Sequence, residues 1–197
     1  MTMNLPNKLT IFRVIMIPFF VYFMLAPIYY PTASFMYLIL PPALVAYANY
    51  ISAVIFIVAS FTDFLDGYLA RRDGLVTNFG KFMDPLADKL LVCSALICLI
   101  QSGQLPAWVV VVIISREFII SGFRLIASDN GVVIAASYWG KFKTVTQMVM
   151  VVVLILNFQH PLMILFANIL IWVSVILTIV SLVDYVVKNI DVLKDQK

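Results

Sequence analysis

The sequence predicts an all-α integral membrane protein with six transmembrane helices, and three observations predict it. Hydrophobic residues make up 63% of the 197 residues and charged ones only 12%, too little charge to cover the surface of a soluble globule. The hydropathy supports about six runs of the roughly 20 apolar residues that a membrane helix needs, joined by short connections. The charges fall in five groups: Lys8 with Arg13, Asp63 to Lys89, Arg116 to Asp129, Lys141 with Lys143, and Asp184 to Lys197. The stretches between them hold none.

An even number of spans, with charge only near alternate connections, satisfies the positive-inside rule when both termini are cytoplasmic. The expectation is therefore one domain over residues 1–197, multi-pass in the cell membrane, with its reactive groups facing the cytosol. Helix one is expected from about Asn7 to Ala26, started by Pro6 and ended before Pro27. Lys8 and Arg13 before an apolar run could mimic a signal peptide, but no small-x-small cleavage site follows, so this first span should be retained. Residues 29–50 are broken by Pro31, Pro41 and Pro42 and read as an outer interfacial loop with room for a short re-entrant piece, and with Tyr29, Tyr30, Tyr37, Tyr47 and Tyr50 as an aromatic belt.

Helix two is expected from Ala48 to Arg72, a polar turn at Asp73 and Gly74, and helix three from Phe79 to Gln101. Pro106 to Ser128, Ser137 to Leu156 and Leu162 to Val187 complete the set, with outer turns at Ser102 to Leu105 and Asn157 to Pro161. The tail from Lys188 reads as a solvated helix end touching anionic headgroups. Cys93 and Cys98 lie in one apolar helix and read as packing residues. No basic run interleaved with aromatics points to nucleic acid, and no internal repeat or low-complexity tract is present.

One frame stands apart from this apolar background: Asp63-x-x-Asp66-Gly67-x-x-Ala70-Arg71-x8-Gly80-x3-Asp84-x3-Asp88. Ionised carboxylates at membrane depth are costly, so a cluster of four implies neutralising cations and a function that retains it. Offsets of three, four and seven put Asp63, Asp66, Gly67 and Ala70 on one face of helix two, and Gly80, Asp84 and Asp88 do the same on helix three. Two helices joined by a short turn are antiparallel neighbours, so the acidic faces can converge. Four carboxylates balance two divalent cations, and hard oxygen donors favour Mg2+ or Mn2+. Two metals about 3.5–4 Å apart form the usual clamp for in-line displacement at phosphorus. Small residues leave room for a flat base or a diphosphate, and Arg71 offers a fork of donors. The bland alternative is that the aspartates pair with Arg71, Arg72, Lys81 and Lys89 to seal a hairpin, although one such pair would serve that purpose.

The frame resembles the signature of the CDP-alcohol phosphotransferase family, with each acidic and glycine position filled. Four blocks resemble the bacterial branch that uses glycerol 3-phosphate: NKLTIFR at 7–13, FGKFMDPLADK at 79–89, SREFIISGFR at 115–124 and GKFKT at 140–144. The resemblance implies the CDP-alcohol phosphotransferase fold, usually a homodimer, with a cytoplasm-facing pocket open sideways to membrane lipids. It also implies transfer of a phosphatidyl group from CDP-diacylglycerol to glycerol 3-phosphate with release of CMP. Carried onto these residues, it gives Asp63, Asp66 and Asp84 the metals, with Asp88 completing the site and acting as base. Gly67, Ala70, Arg71 and Gly80 would hold the CDP portion, with Thr10 nearby.

The acceptor side can be argued partly from charge. Arg116 falls mid-span, where an unpaired guanidinium is expensive, and Glu117 is expected to point elsewhere on the helix. Arg116, Arg124, Lys141 and Lys143 together would form a cationic wall suited to a phosphomonoester dianion. The ordinary alternative is that Arg124, Lys141 and Lys143 mark the cytoplasmic helix ends. Two rival functions share these features: a sister transferase taking inositol phosphate or phosphatidylglycerol, and a divalent-cation transporter. One-sided charge speaks against the second, because a pathway needs polar groups toward both faces.

Overall fold

The computed structural model describes residues 4–30, 41–72, 78–129 and 137–190. Helices and turns account for all regular structure among them. The expected polar turn at Asp73 and Gly74, Pro31 and Tyr37 of the outer segment, and the tail beyond Ile190 lie outside the described residues. Two compact units form, residues 1–104 with 155–157, and residues 105–154 with 158–197.

In the first unit, α1 spans Leu5–Tyr29, capped by the Asn4 side chain, whose Oδ1 accepts from the Asn7 amide at 3.2 Å. The expected stop before Pro27 is corrected: Pro18 and Pro27 are both internal, and the Tyr30 amide still donates to the Ala26 carbonyl at 2.9 Å. A proline removes only its own amide bond, and in apolar surroundings continuing the helix satisfies every amide that remains. A short α2, Pro42–Ala46, occupies part of the segment expected as a loop. Helices α3, Ala48–Arg72, and α4, Asn78–Gln101, follow within a residue of expectation.

Contacts between α1 and α3 run in opposite chain directions. Ala26 meets Ala48 at one end, the Phe20 and Phe56 rings lie 5.9 Å apart in the middle, and Arg13 reaches Ala59 and Asp63 at the other. The buried positions of α1, Pro6, Thr10, Arg13, Ile17, Phe20 and Met24, recur every three or four residues, as do Ala48, Ser52, Phe56 and Ala59 on α3. Small residues on α3 allow the backbones to approach closely. α1 also packs on α4. The start of α1, the acidic end of α3 and the start of α4 therefore gather at one end of this unit.

The turn after α4 uses Gly103 at φ +73°, a left-handed conformation that side-chain-bearing residues rarely adopt. In the second unit, α5 spans Ala107–Asp129, α6 Tyr138–Leu156 and α7 Pro161–Asn189. The His160 side chain caps α7, accepting from the Leu162 amide at 3.3 Å. Trp108–Trp172, Arg116–Ser181 and Phe123–Tyr185 contacts advance in the same direction along α5 and α7, so these helices run parallel. On α7, Ser174, Thr178 and Ser181 are fully buried, whereas Leu162, Leu165, Trp172, Ile176 and Val187 stand exposed. An apolar outer face over a buried polar seam suits a helix surrounded by lipid.

Among the described residues, α1, α6 and α7 are long and apolar enough to cross a bilayer, and Ala48–Asp63 is a shorter apolar stretch. At 23–25 residues, α3, α4 and α5 reach about 35 Å, long enough in length alone. What interrupts their hydropathy is the charge they carry, Asp63 on α3, Asp84 and Asp88 on α4, and Arg116, Glu117 and Arg124 on α5.

Candidate active site

Two carboxylates of the acidic frame are held from a third helix. Thr10 Oγ1 lies 2.6 Å from Asp84 Oδ1 and 3.2 Å from the Pro6 carbonyl. The shorter contact to a charged acceptor is the one the hydroxyl proton favours. One turn further along α1, Arg13 Nη1 pairs with Asp63 Oδ1 at 2.8 Å, and its Nε donates to the Ala59 carbonyl at 3.2 Å. Arg13 has no solvent exposure, whereas the Asp63 side chain keeps 40%. A guanidinium so buried is tolerable only when paired and hydrogen-bonded. Asp84 also lies close enough for its charge to act on Asp63. Thr10 and Arg13, one turn apart on α1, thus bind one carboxylate of α4 and one of α3.

Asp88 stands one turn beyond Asp84 on α4, partly buried, and Gly80, one turn before, is buried. Gly67 is partly buried on α3. Asp66, Ala70 and Arg71 occupy α3 at the expected helical spacing, and their side chains lie outside the described ones. Among the described residues, no three carboxylates, thiols or imidazoles form a metal-binding group; the set expected from the sequence includes Asp66. Cys93 is partly buried and Cys98 buried, and neither is in a disulfide.

The basic residues gather in the second unit, with a correction to the expected pairing. Glu117 does not point away: its Oε1 accepts from Arg116 Nη1 at 2.9 Å and also pairs with Lys143 Nζ of α6. A glutamate side chain is long enough to turn back to its neighbour's guanidinium, which adjacent positions on a helical wheel conceal. Arg116, 8% exposed, donates through Nε to Ser181 Oγ of α7 at 3.1 Å, and Lys143 is 2% exposed. Arg124, eight residues on and about 12 Å along the axis, is exposed, its guanidinium carbon 6.0 Å from the centre of the Tyr185 ring. Lys141 is exposed at the start of α6. The structure therefore joins Arg116 with Lys143, and gives Arg124 and Lys141 separate surroundings.

Sequence reasoning missed three members of these clusters: Arg13, Glu117 and Ser181. Arg13 carried a legible signal, a charge three positions after Thr10 within an apolar helix, which puts both on one face. Ser181 carried none, being one of several hydroxyls on α7.

The model of the CDP-alcohol phosphatidyltransferase family matches residues 3–180. The chain belongs to this family. It is 48% identical over 193 residues to the CDP-diacylglycerol–glycerol-3-phosphate 3-phosphatidyltransferase of Bacillus subtilis (strain 168), covering 97% of each chain. A protein of the same name from Haemophilus influenzae is 40% identical, over 94% of this chain and 92% of that one. Another from Rickettsia bellii is 34% identical, over 92% and 93%. As a member of the CDP-alcohol phosphatidyltransferases with long apolar helices, the chain is a membrane protein.

Members of this family generally use divalent metal ions. The residues here fit such ions: all the acidic donors are hard oxygens, and Thr10 and Arg13, one turn apart on α1, each engage one carboxylate oxygen, of Asp84 and Asp63.

Proposed function

We propose that the chain transfers the phosphatidyl group of CDP-diacylglycerol to the free hydroxyl of sn-glycerol 3-phosphate, giving phosphatidylglycerol phosphate and CMP. The observation that carries this reading is that relatives 34–48% identical over nearly the whole chain are named for that reaction.

Asp63, Asp66, Asp84 and Asp88 would hold two divalent cations, Mg2+ or Mn2+. Such ions would supply positive charge to offset the negative charge of the diphosphate and of the departing phosphate. Gly67, Ala70, Arg71 and Gly80 are the residues assigned to the CDP portion, and Thr10 contributes from α1 by holding Asp84. Asp88 accepts the proton of the glycerol hydroxyl as its oxygen attacks the phosphorus that carries the diacylglycerol. The bond from that phosphorus to CMP breaks with its electron pair on CMP, and no covalent intermediate forms on the protein. Arg116, Arg124, Lys141 and Lys143 supply positive charge to the acceptor's phosphate.

The acyl chains remain in the bilayer, which accounts for the chemistry being built into a membrane protein. We place the active groups on the cytoplasmic side of the cell membrane, in a single catalytic domain of six spans with both termini inside, as a homodimer. The gathering of charge at one end of each unit supports that orientation.

The test is CMP release by purified protein in detergent with CDP-diacylglycerol, Mg2+ and a panel of acceptors. Glycerol 3-phosphate should support turnover, and a chelator should abolish it. Turnover with inositol phosphate or phosphatidylglycerol in preference to glycerol 3-phosphate would contradict the reading.

A further inference from the structure

The second unit holds a carboxylate that the proposed reaction does not use. Glu117 lies between two buried cations from different helices, Arg116 on α5 and Lys143 on α6, and pairs with both through the same oxygen, Oε1. Like charges side by side repel, the more strongly where little water screens them. A shared carboxylate allows both to remain in one place.

The guanidinium is fixed at two more points. Nε is committed to Ser181 and Nη1 to Glu117, which turns Nη2 toward the start of α6. There Gly140 leaves the space: a Cβ at that position would sit 3.2 Å from Nη2 and 3.4 Å from the Ser137 hydroxyl. Contacts that close are tighter than ordinary carbon packing, so a side chain at 140 would push the guanidinium aside.

We propose that Glu117 is a positioning residue for the acceptor phosphate: it locks Arg116 and Lys143 into one preorganised pair of donors, while Gly140 keeps Nη2 open beside them. This rests on the reading of Arg116 and Lys143 as ligands of the acceptor's phosphate. The benefit is preorganisation. Donors already held in place cost a small dianion less ordering on binding than two long flexible side chains would. Glu117 itself does not touch the substrate.

The experiment is steady-state CMP release by the full-length wild type, E117Q, E117D and G140A, varying each substrate with the other saturating, with thermal melts alongside. E117Q keeps the size of the side chain and loses the charge. It should raise KM for glycerol 3-phosphate at least about tenfold, the scale of one charge-assisted hydrogen bond, and leave KM for CDP-diacylglycerol within about twofold. E117D, one methylene shorter with its charge intact, should recover part of the loss. G140A retains every charge and should raise the same KM, so it reads the proposal even where E117Q fails to fold. An E117Q whose two KM values rise together, or whose KM for glycerol 3-phosphate matches the wild type, overturns the role of Glu117. A G140A with wild-type KM overturns the open-donor part. Wild-type protein that does not turn over glycerol 3-phosphate sinks the parent reading instead, which keeps the two failures apart.

Discussion

Thr10 and Arg13 stand one turn apart on α1, and each gives a donor to a carboxylate on a different helix. Breaking a buried ion pair by removing one partner costs about 3–5 kcal/mol. Asp63 keeps 40% of its side-chain exposure and can turn to water, so Arg13→Gln should cost less, about 1–3 kcal/mol. Thermal denaturation of the solubilised variant in chelator should show it, and an unchanged midpoint would remove Arg13 from this role. The four aspartates were legible in the sequence because charge in an apolar chain is conspicuous and their spacing is helical. Arg13 as the partner of Asp63 was not, because periodicity gives the face of a helix and not the helix opposite. Glu117 was misread for a related reason, since its second partner, Lys143, comes from another helix 26 residues away.

Helix α1 does two jobs along its length. Its C-terminal half, Ile17, Phe20 and Met24, packs by shape, and its N-terminal half, Asn7, Thr10 and Arg13, is equally buried but polar. Packing of the first half sets where the donors of the second half fall, and Ala59 lies where they meet: it is fully buried and its carbonyl anchors Arg13 Nε. Ala59→Leu should overpack that contact and destabilise by about 1–3 kcal/mol, with a loss of transferase activity. Val58, the exposed neighbour, is the control, and Val58→Leu should stay within about 0.5 kcal/mol. Equal effects at both positions, read by the same melt, would mean that α1 does not depend on a close approach at Ala59. Most helix limits were legible to within a residue or two, because long apolar runs bounded by Pro, Gly and charge leave few choices. The far end of α1 was not, because a proline stop holds for helices whose freed backbone can turn to water.

Among the described residues of each unit the charged groups lie toward one end of the helices, and the turns at Ser102 to Leu105 and Asn157 to Pro161 carry none. That separation is what a catalytic membrane protein needs: oily helix bodies for the lipid tails, with ionised groups confined to a depth that water and nucleotide can reach. The all-helical membrane character was readable from composition and hydropathy, whereas the division into two compact units was not, because apolar runs do not announce which helices pack together. The account as a whole depends on the acidic end of the first unit holding metal. Anomalous diffraction from crystals grown with Mn2+ tests this most directly. The account predicts anomalous peaks within coordination distance of Asp63 and Asp84 carboxylate oxygens; ordered side chains there without such a peak, or manganese bound only elsewhere, would contradict it.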